Sequence, residues 1–200
     1  MVDSITKLYL DNIANSLSQI REIKGEIYSQ STLKEAAVLI PLFYQRQDWH
    51  LLFIRRTDTV NHHKGQVAYP GGLRESVDRS LVDTALRETY EEIGLNPEDV
   101  TILGKLDPVI STTNYNITPI VGYFVTPYTY KPSMDEVSRI FSIPLNWLSN
   151  KSNFEEKMYV TPEGEKKKVV YYQEYDKEIL WGITARITLF LLNKLDTINK

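Results

Sequence analysis

The chain has no cysteine among its 200 residues. That absence excludes disulfide bonds, thiolate metal sites and any mechanism with a cysteine nucleophile. It also fits a reducing compartment, so we expect a cytoplasmic protein. No apolar run approaches the roughly 20 residues that a membrane-spanning helix needs. The first residues carry charges instead of a continuous apolar run, so we expect neither a secretory signal nor a membrane partner.

A strong excess of charge is also lacking. Lys and Arg number 23 against 26 Asp and Glu, which leaves a formal net charge of -3. This balance argues against a general nucleic-acid-binding protein. No internal repeat, low-complexity segment or linker is visible, and the length suits one domain with a substantial core. We predict a single domain over residues 1–200 and leave open whether it is a monomer or a homodimer.

Helical and strand patterns are mixed along the whole chain, which predicts an α/β fold. Pro41 lies inside a predicted strand and indicates an irregularity or an edge position. The Lys166-Lys167-Lys168 run is predicted to be a solvated turn in a hairpin arm. The other predicted elements are an amphipathic helix over 3–23 with Leu8 on its apolar face, a hairpin of strands over 36–44 and 50–56, strands over 101–106 and 117–125, and a long helix over 179–195.

The most informative stretch is a Gly71-Gly72 turn followed by a helix predicted over residues 81–93. Asp78 and Ser80 are candidate N-caps, and Gly94 is the candidate C-cap. The predicted buried face of this helix consists of Val82, Ala85, Leu86, Thr89 and Ile93.

Three glutamates, Glu88, Glu91 and Glu92, are predicted to share another face of this helix, within about one turn. Like charges at this spacing oppose helix formation by roughly 0.2–0.5 kcal/mol per pair. They are therefore either solvated or neutralised by a cation. Mg²⁺ is a suitable cation, because it prefers oxygen ligands and often binds one or two carboxylates together with substrate phosphates.

The spacing around these glutamates resembles the Nudix box, Gly-x5-Glu-x7-Arg-Glu-U-x-Glu-Glu-x-Gly-U, in which U is a bulky aliphatic residue. The chain has Gly72, five residues, Asp78, eight residues, Arg87-Glu88, two residues, Glu91-Glu92, one residue and Gly94-Leu95. Asp78 replaces the usual glutamate, its spacing to Arg87 is one residue longer, and Thr89 occupies a U position.

A second motif lies upstream, with Arg56, His63, Gly65 and Val67 followed by Tyr69-Pro70-Gly71-Gly72. It looks like the extra motif of the coenzyme A pyrophosphatase branch of Nudix hydrolases, in which the longer spacing after Asp78 also occurs. The resemblance covers about residues 36–190 and leaves the 1–23 helix outside. It implies a Nudix fold, an α/β/α sandwich around a mixed β-sheet.

The resemblance also implies an activity. This is metal-dependent hydrolysis of the pyrophosphate bond of coenzyme A or its thioesters, which yields 3′,5′-ADP and 4′-phosphopantetheine or its acyl derivative. The implied cofactor is Mg²⁺ or Mn²⁺, and the implied partner is a small nucleotide substrate. The implied metal ligands are Glu88, Glu91, Glu92 and the Gly72 carbonyl, with Arg87 orienting a box carboxylate. The general base is left open between a box glutamate, Glu91 or Glu92, and Glu136.

The implied substrate-binding residues are Arg56, His63, Gly71 and Gly72. Coenzyme A carries several negative charges, and arginine binds phosphate bidentately. Neighbouring side chains of a strand point to opposite faces, so Arg55 and Arg56 cannot both face one pocket. We favour Arg56 and expect Arg55 to be a solvent-facing charge.

The fold is compatible with three alternative classes of protein. A Nudix hydrolase of another nucleoside diphosphate derivative, such as ADP-ribose, or of a nucleoside triphosphate would use the same box. A non-catalytic binding domain on this fold is disfavoured by the intact set of Glu88, Glu91 and Glu92. An isomerase on this fold would be expected to use a cysteine, which the chain lacks.

Overall fold

The computed structural model describes residues 4–18, 33–58, 65–160, 164 and 166–196. Its helices are α1 (Ser4–Ser18), α2 (Leu81–Ile93), α3 (Leu145–Ser149) and α4 (Gly182–Asp196). Its strands are β1 (Lys34–Gln45), β2 (Asp48–Arg56), β3 (Val67–Ala68), β4 (Gly71–Leu73), β5 (Thr101–Lys105), β6 (Val109–Ile110), β7 (Tyr115–Tyr123), β8 (Val137–Pro144), β9 (Phe154–Val160) and β10 (Lys166–Tyr172). No helix among these residues is long and apolar enough to cross a membrane.

The main sheet is mixed, as predicted. Its strand order is β3-β2-β1-β7-β5, with β4 added to β1, β6 to β7 and β8 to β2. The β1–β7 pair is parallel, and the others are antiparallel. A separate two-stranded sheet joins β9 to β10.

Helices cover both faces of the main sheet. Alternate residues of β1 and β2 belong to two separate apolar cores, because side chains of a strand alternate between faces. One core includes α1 and α4, and the other includes α2. The α/β/α arrangement expected from the resemblance is therefore confirmed.

The predicted hairpin of β1 and β2 is confirmed. Arg46 and Gln47 turn the chain with φ angles of 53° and 65°, as a type I′ turn requires at its two central positions. The predicted edge position of Pro41 is wrong, because β1 is a central strand and Pro41 is buried. The predicted irregularity is present. Along one edge, β1 pairs with β4 at Ala36–Val38 and with β2 from Leu42 onward. Pro41 lies between these two pairings.

Three further predictions need correction. Leu8 is 63% exposed, whereas Leu10, Ile13 and Leu17 form the buried face of α1; residues 19–23 of the predicted helix lie outside the described residues. Lys166-Lys167-Lys168 forms the start of β10 and not a turn, although its side chains are exposed as expected. The last helix begins at Gly182 and not at residue 179, because Trp181 pairs with Tyr171 of β10.

Helix α2 has the predicted bounds. The Ser80 hydroxyl caps its start by accepting a hydrogen bond from the Asp83 amide at 3.1 Å. Gly94 ends it with a left-handed φ of 71° and donates its N–H to the Tyr90 carbonyl at 2.8 Å. The helix therefore stops at a defined residue, directly after the glutamates.

We predict that Gly94→Ala costs more stability than Gly182→Ala. The two glycines have similar left-handed φ angles, 71° and 67°, so each substitution carries a similar backbone penalty of about 1–2 kcal/mol. Only at Gly94 would the new Cβ also approach another segment, at 2.8 Å from the Lys131 Cβ. Urea unfolding of both variants measures the difference, and equal losses would show that the contact with Lys131 is unimportant.

Candidate active site

The glycine pair 71–72 is not the predicted turn but the short strand β4, which pairs with Ala37 and Val38 of β1. A Cβ on Gly71, whose φ is 152°, would lie 2.3 Å from the Ala37 carbonyl oxygen. A Cβ on Gly72 would lie 2.5 Å from the carboxyl carbon of Glu88. These glycines thus let one strand approach both the central strand and a glutamate of α2.

Glu92 is buried, with 1% of its surface exposed. The prediction that all three glutamates avoid the packed face of α2 is therefore wrong for this residue. Its carboxylate accepts hydrogen bonds from the Gly71 amide at 2.9 Å and from Arg56 Nη1 at 3.1 Å. Both donors lie on other segments of the chain, which a helical wheel does not show.

The pKa values of two of the glutamates are raised. Burial is the main cause for both, and it raises the pKa of Glu92 to about 8, although the Gly71 amide and Arg56 act in the opposite direction. Burial also raises the pKa of Glu88, against the effect of Arg87. The negative charge of Glu136 adds to the rise in both cases. The charge of Glu136 therefore disfavours ionisation of both Glu88 and Glu92.

Arg87 connects the carboxylates of this region. It donates to both oxygens of Asp78 at 2.9 and 3.0 Å, to Glu88 at 2.9 Å and to Glu91 at 3.0 Å. It also donates to the Leu73 carbonyl at 3.0 Å, which ties α2 to β4. The predicted contact between Arg87 and a box carboxylate is present, and the fork of the guanidinium group suits it.

Asp78 and Ser80 were both candidate N-caps of α2, and Ser80 is the cap. Asp78 has a different role. It is buried and accepts hydrogen bonds from Arg87, from the Glu75 amide at 2.8 Å and from the Thr84 hydroxyl at 2.9 Å. Those from Arg87 are the main reason why the pKa of Asp78 lies well below its usual range, although burial acts in the opposite direction. The sequence did not predict that Thr84 binds Asp78 or that the Leu73 carbonyl binds Arg87. For Asp78 itself, its position in the box indicated a role at the site.

The remaining predicted site residues are less enclosed. Glu91 is exposed, and its carboxylate accepts a hydrogen bond from Arg87. Glu136 is exposed directly before β8, where its carbonyl accepts a hydrogen bond from the Thr57 amide at 2.9 Å. Arg56 and Arg55 diverge as expected, but Arg55 contacts Glu178 at 3.4 Å and is not a purely solvent-facing charge. His63 lies outside the described residues.

The carboxylates suit a hard divalent cation by their chemistry, since their donors are all oxygens. Gly72 fits this assignment, because the absence of a side chain places its backbone against the Glu88 carboxylate. Within the described ranges, no three His, Asp or Glu side chains are gathered into a ready metal site. Arg87 and Arg56 instead neutralise these carboxylates in part.

Comparison with known proteins gives a consistent result. Residues 33–170 match the model of the NUDIX domain. A protein described as the uncharacterized Nudix hydrolase NudL of Pectobacterium atrosepticum is 37% identical over 157 residues, which are 77% of this chain and 79% of that protein. Its counterpart from Yersinia pestis is 38% identical over 168 residues, or 84% of this chain and 83% of that protein.

Solved structures agree on the fold. A MutT/nudix family protein from Enterococcus faecalis aligns with a TM-score of 0.55 and 16% identity over 82% of this chain and 62% of that one. A MutT protein from Methanosarcina mazei aligns with a TM-score of 0.52 and 17% identity over 84% of this chain and 96% of that one.

We expect Asp78→Asn to lower the free energy of unfolding by about 3 kcal/mol at pH 7, because it breaks a buried ion pair with Arg87. The folded-state pKa of Asp78 is lowered. Its contribution is therefore complete above the unfolded-state pKa of about 3.9 and is lost as the pH falls through the lower folded-state pKa. The stability gap to the wild type should accordingly narrow below about pH 4.

Chemical denaturation at a series of pH values measures this gap. Asp83→Asn is the matched control, since Asp83 lies in the first turn of the same helix and its loss is expected to cost at most about 1 kcal/mol. A gap that stays constant from pH 7 to pH 3 would contradict the assignment to the Asp78 carboxylate.

Proposed function

The chain belongs to the Nudix hydrolase family and is a pyrophosphohydrolase, and we propose that it cleaves the pyrophosphate bond of coenzyme A or its thioesters. The products are 3′,5′-ADP and 4′-phosphopantetheine or its acyl derivative. The proposal concerns the substrate, since the hydrolytic chemistry belongs to the family as a whole.

One contact carries the proposal. Arg56 belongs to the upstream motif that resembles the coenzyme A branch, and Glu92 belongs to the glutamate cluster of the box. The hydrogen bond of 3.1 Å between them brings these two motifs to one place. Arg56 is partly exposed there, so it has N–H groups available to a phosphate as well.

We assign Mg²⁺ or Mn²⁺ to Glu88, Glu91, Glu92 and the Gly72 carbonyl. When bound, the cation neutralises phosphate oxygens and lowers the pKa of a water molecule. The contacts of Arg87 with Glu88 and Glu91 fix the direction of both carboxylates. Gly71 lets β4 pack closely on β1, and Gly72 lets the backbone of β4 lie against the Glu88 carboxylate.

We assign the general base to Glu136. Glu91 is bound to Arg87, and Glu92 is buried against Arg56. By contrast, the Glu136 carboxylate is exposed, and no ion pair holds it within the part of the chain that the structure describes. Its amide donates to the Ser133 carbonyl at 3.0 Å, and the Ser133 amide donates to the Glu92 carbonyl at 2.9 Å, so Glu136 follows a segment tied to the proposed metal site. A carboxylate in this position is suited to take the proton of the attacking water.

We propose four further properties. The chain is one domain: α1 packs on the same core as α4, and Ser16 donates to the Lys194 carbonyl at 3.4 Å. His63 contributes to the substrate site. The protein acts in the cytoplasm as a monomer or homodimer.

The substrate is tested by incubating the purified protein with Mg²⁺ or Mn²⁺ and coenzyme A, ADP-ribose or nucleoside triphosphates in parallel. We expect coenzyme A to give the highest kcat/KM, with 3′,5′-ADP among the products separated by chromatography. Rapid turnover of ADP-ribose or a triphosphate, without release of 3′,5′-ADP from coenzyme A, would contradict the proposal and favour the alternative Nudix substrates.

Glu92→Gln should lower kcat by about a hundredfold or more. Such a loss exceeds that expected when a residue that only hydrogen-bonds to a metal ligand is replaced. The fold should be retained, because glutamine has nearly the same size and burial already raises the pKa of Glu92 towards the neutral form. Steady-state kinetics and thermal unfolding measure the two effects. Glu98→Gln, an exposed glutamate beyond the end of α2, is the control and should keep wild-type activity. Near-wild-type turnover by Glu92→Gln would remove this residue from the site.

A further inference from the structure

A second buried carboxylate lies outside the proposed metal site. Glu178 is 4% exposed and follows a tight turn in which Asp176 and Lys177 have φ angles of 50° and 67°. It accepts hydrogen bonds from Arg139 Nη1 at 3.1 Å and from Arg55 Nη1 at 3.4 Å. Buried ion pairs are weak sources of stability, because desolvation offsets much of their attraction. This cluster is therefore a candidate for a functional role.

The two arginines of the cluster differ in how fully they are used. Arg139 also donates to the Asp176 carbonyl at 2.7 Å, pairs with the Asp176 carboxylate and lies over the ring of Phe141 at 5.3 Å. Arg55 makes one long hydrogen bond through its guanidinium group, as far as the described residues show, and its side chain is 41% exposed. Arg55 is thus the arginine with N–H donors available to a ligand.

The cluster lies at the same end of the sheet as the proposed active site. Arg55 and Arg56 are the last two residues of β2, and they pair with Arg139 and Val137 near the start of β8. A bulge separates these pairs, where the Ser138 hydroxyl donates to the Arg55 carbonyl at 3.1 Å. Arg56 reaches Glu92 on one side of the sheet, and Arg55 reaches Glu178 on the other.

We propose that Arg55 binds an anionic group of the substrate that is separate from the pyrophosphate, and that Glu178 positions Arg55 for this contact. The inference rests on the proposed function, and for coenzyme A the anionic group is the 3′-phosphate. Arg139 anchors Glu178, and the same carboxylate holds Arg55, whose side chain remains 41% exposed. Guanidinium groups bind phosphate in a bidentate manner, which suits this task.

The inference predicts a specific change in substrate preference. The wild type should have a KM for coenzyme A about tenfold below its KM for 3′-dephospho-coenzyme A, as expected for one charge-assisted contact. Arg55→Gln should raise the KM for coenzyme A about tenfold, leave that for the dephospho compound unchanged, and leave kcat for both nearly unaltered. Glu178→Gln should shift the KM ratio in the same direction, and Arg55→Lys should restore part of it.

Thermal unfolding accompanies these assays, so that loss of structure is separated from loss of binding. Arg186→Gln is the control, because Arg186 is an exposed arginine on α4 that lies over Phe190. An equal rise in KM for both compounds, or an unchanged KM ratio in Arg55→Gln, overturns the role of Arg55 and leaves the proposed function standing. If the wild type cleaves neither coenzyme A nor its dephospho form, the role of Arg55 and the proposed function are both overturned.

Discussion

The hydrogen bonds that Glu92 accepts from Arg56 and from the Gly71 amide hold together the three elements of the site. Glu92 lies on α2, Arg56 ends β2, and Gly71 begins β4. A buried carboxylate is costly unless it is paired and hydrogen-bonded. This requirement fixes how α2 lies on the sheet. Glu88 is thereby placed against Gly72, and Arg87 reaches Asp78.

The same packing leaves the site rich in negative charge. Glu88, Glu91 and Glu92 lie on one end of α2, with Glu136 close by, and the ion pairs of this group come from Arg56 and Arg87. Burial and mutual repulsion raise the pKa values of Glu88 and Glu92. A divalent cation bound as we propose would relieve this repulsion and would displace protons on binding. Asp78 holds Arg87, and Arg87 in turn contacts the carboxylates of Glu88 and Glu91.

Sequence reasoning predicts the local features well where one periodicity or one residue type decides them. The bounds of α2, the Gly94 cap, the hairpin of β1 and β2, and the divergence of Arg55 and Arg56 are of this kind. It is wrong where the packing of distant segments decides. Pro41 lies in a central strand at the point where β1 changes partners on one side, and Glu92 is buried where α2 contacts β4 and Arg56 of β2. The pairing of Arg55 with Glu178 joins residues 123 positions apart, which no local pattern indicates.

We propose above all that the carboxylates of Glu88, Glu91 and Glu92, gathered by α2, bind a divalent cation. Electron paramagnetic resonance of Mn²⁺ measures this directly, because it counts the free ion during a titration with protein and needs no substrate. The account predicts that the wild type binds Mn²⁺, that Glu88→Gln weakens binding about tenfold or more, and that Glu98→Gln leaves it unchanged. Equal Mn²⁺ affinity in the wild type and in Glu88→Gln would contradict the account.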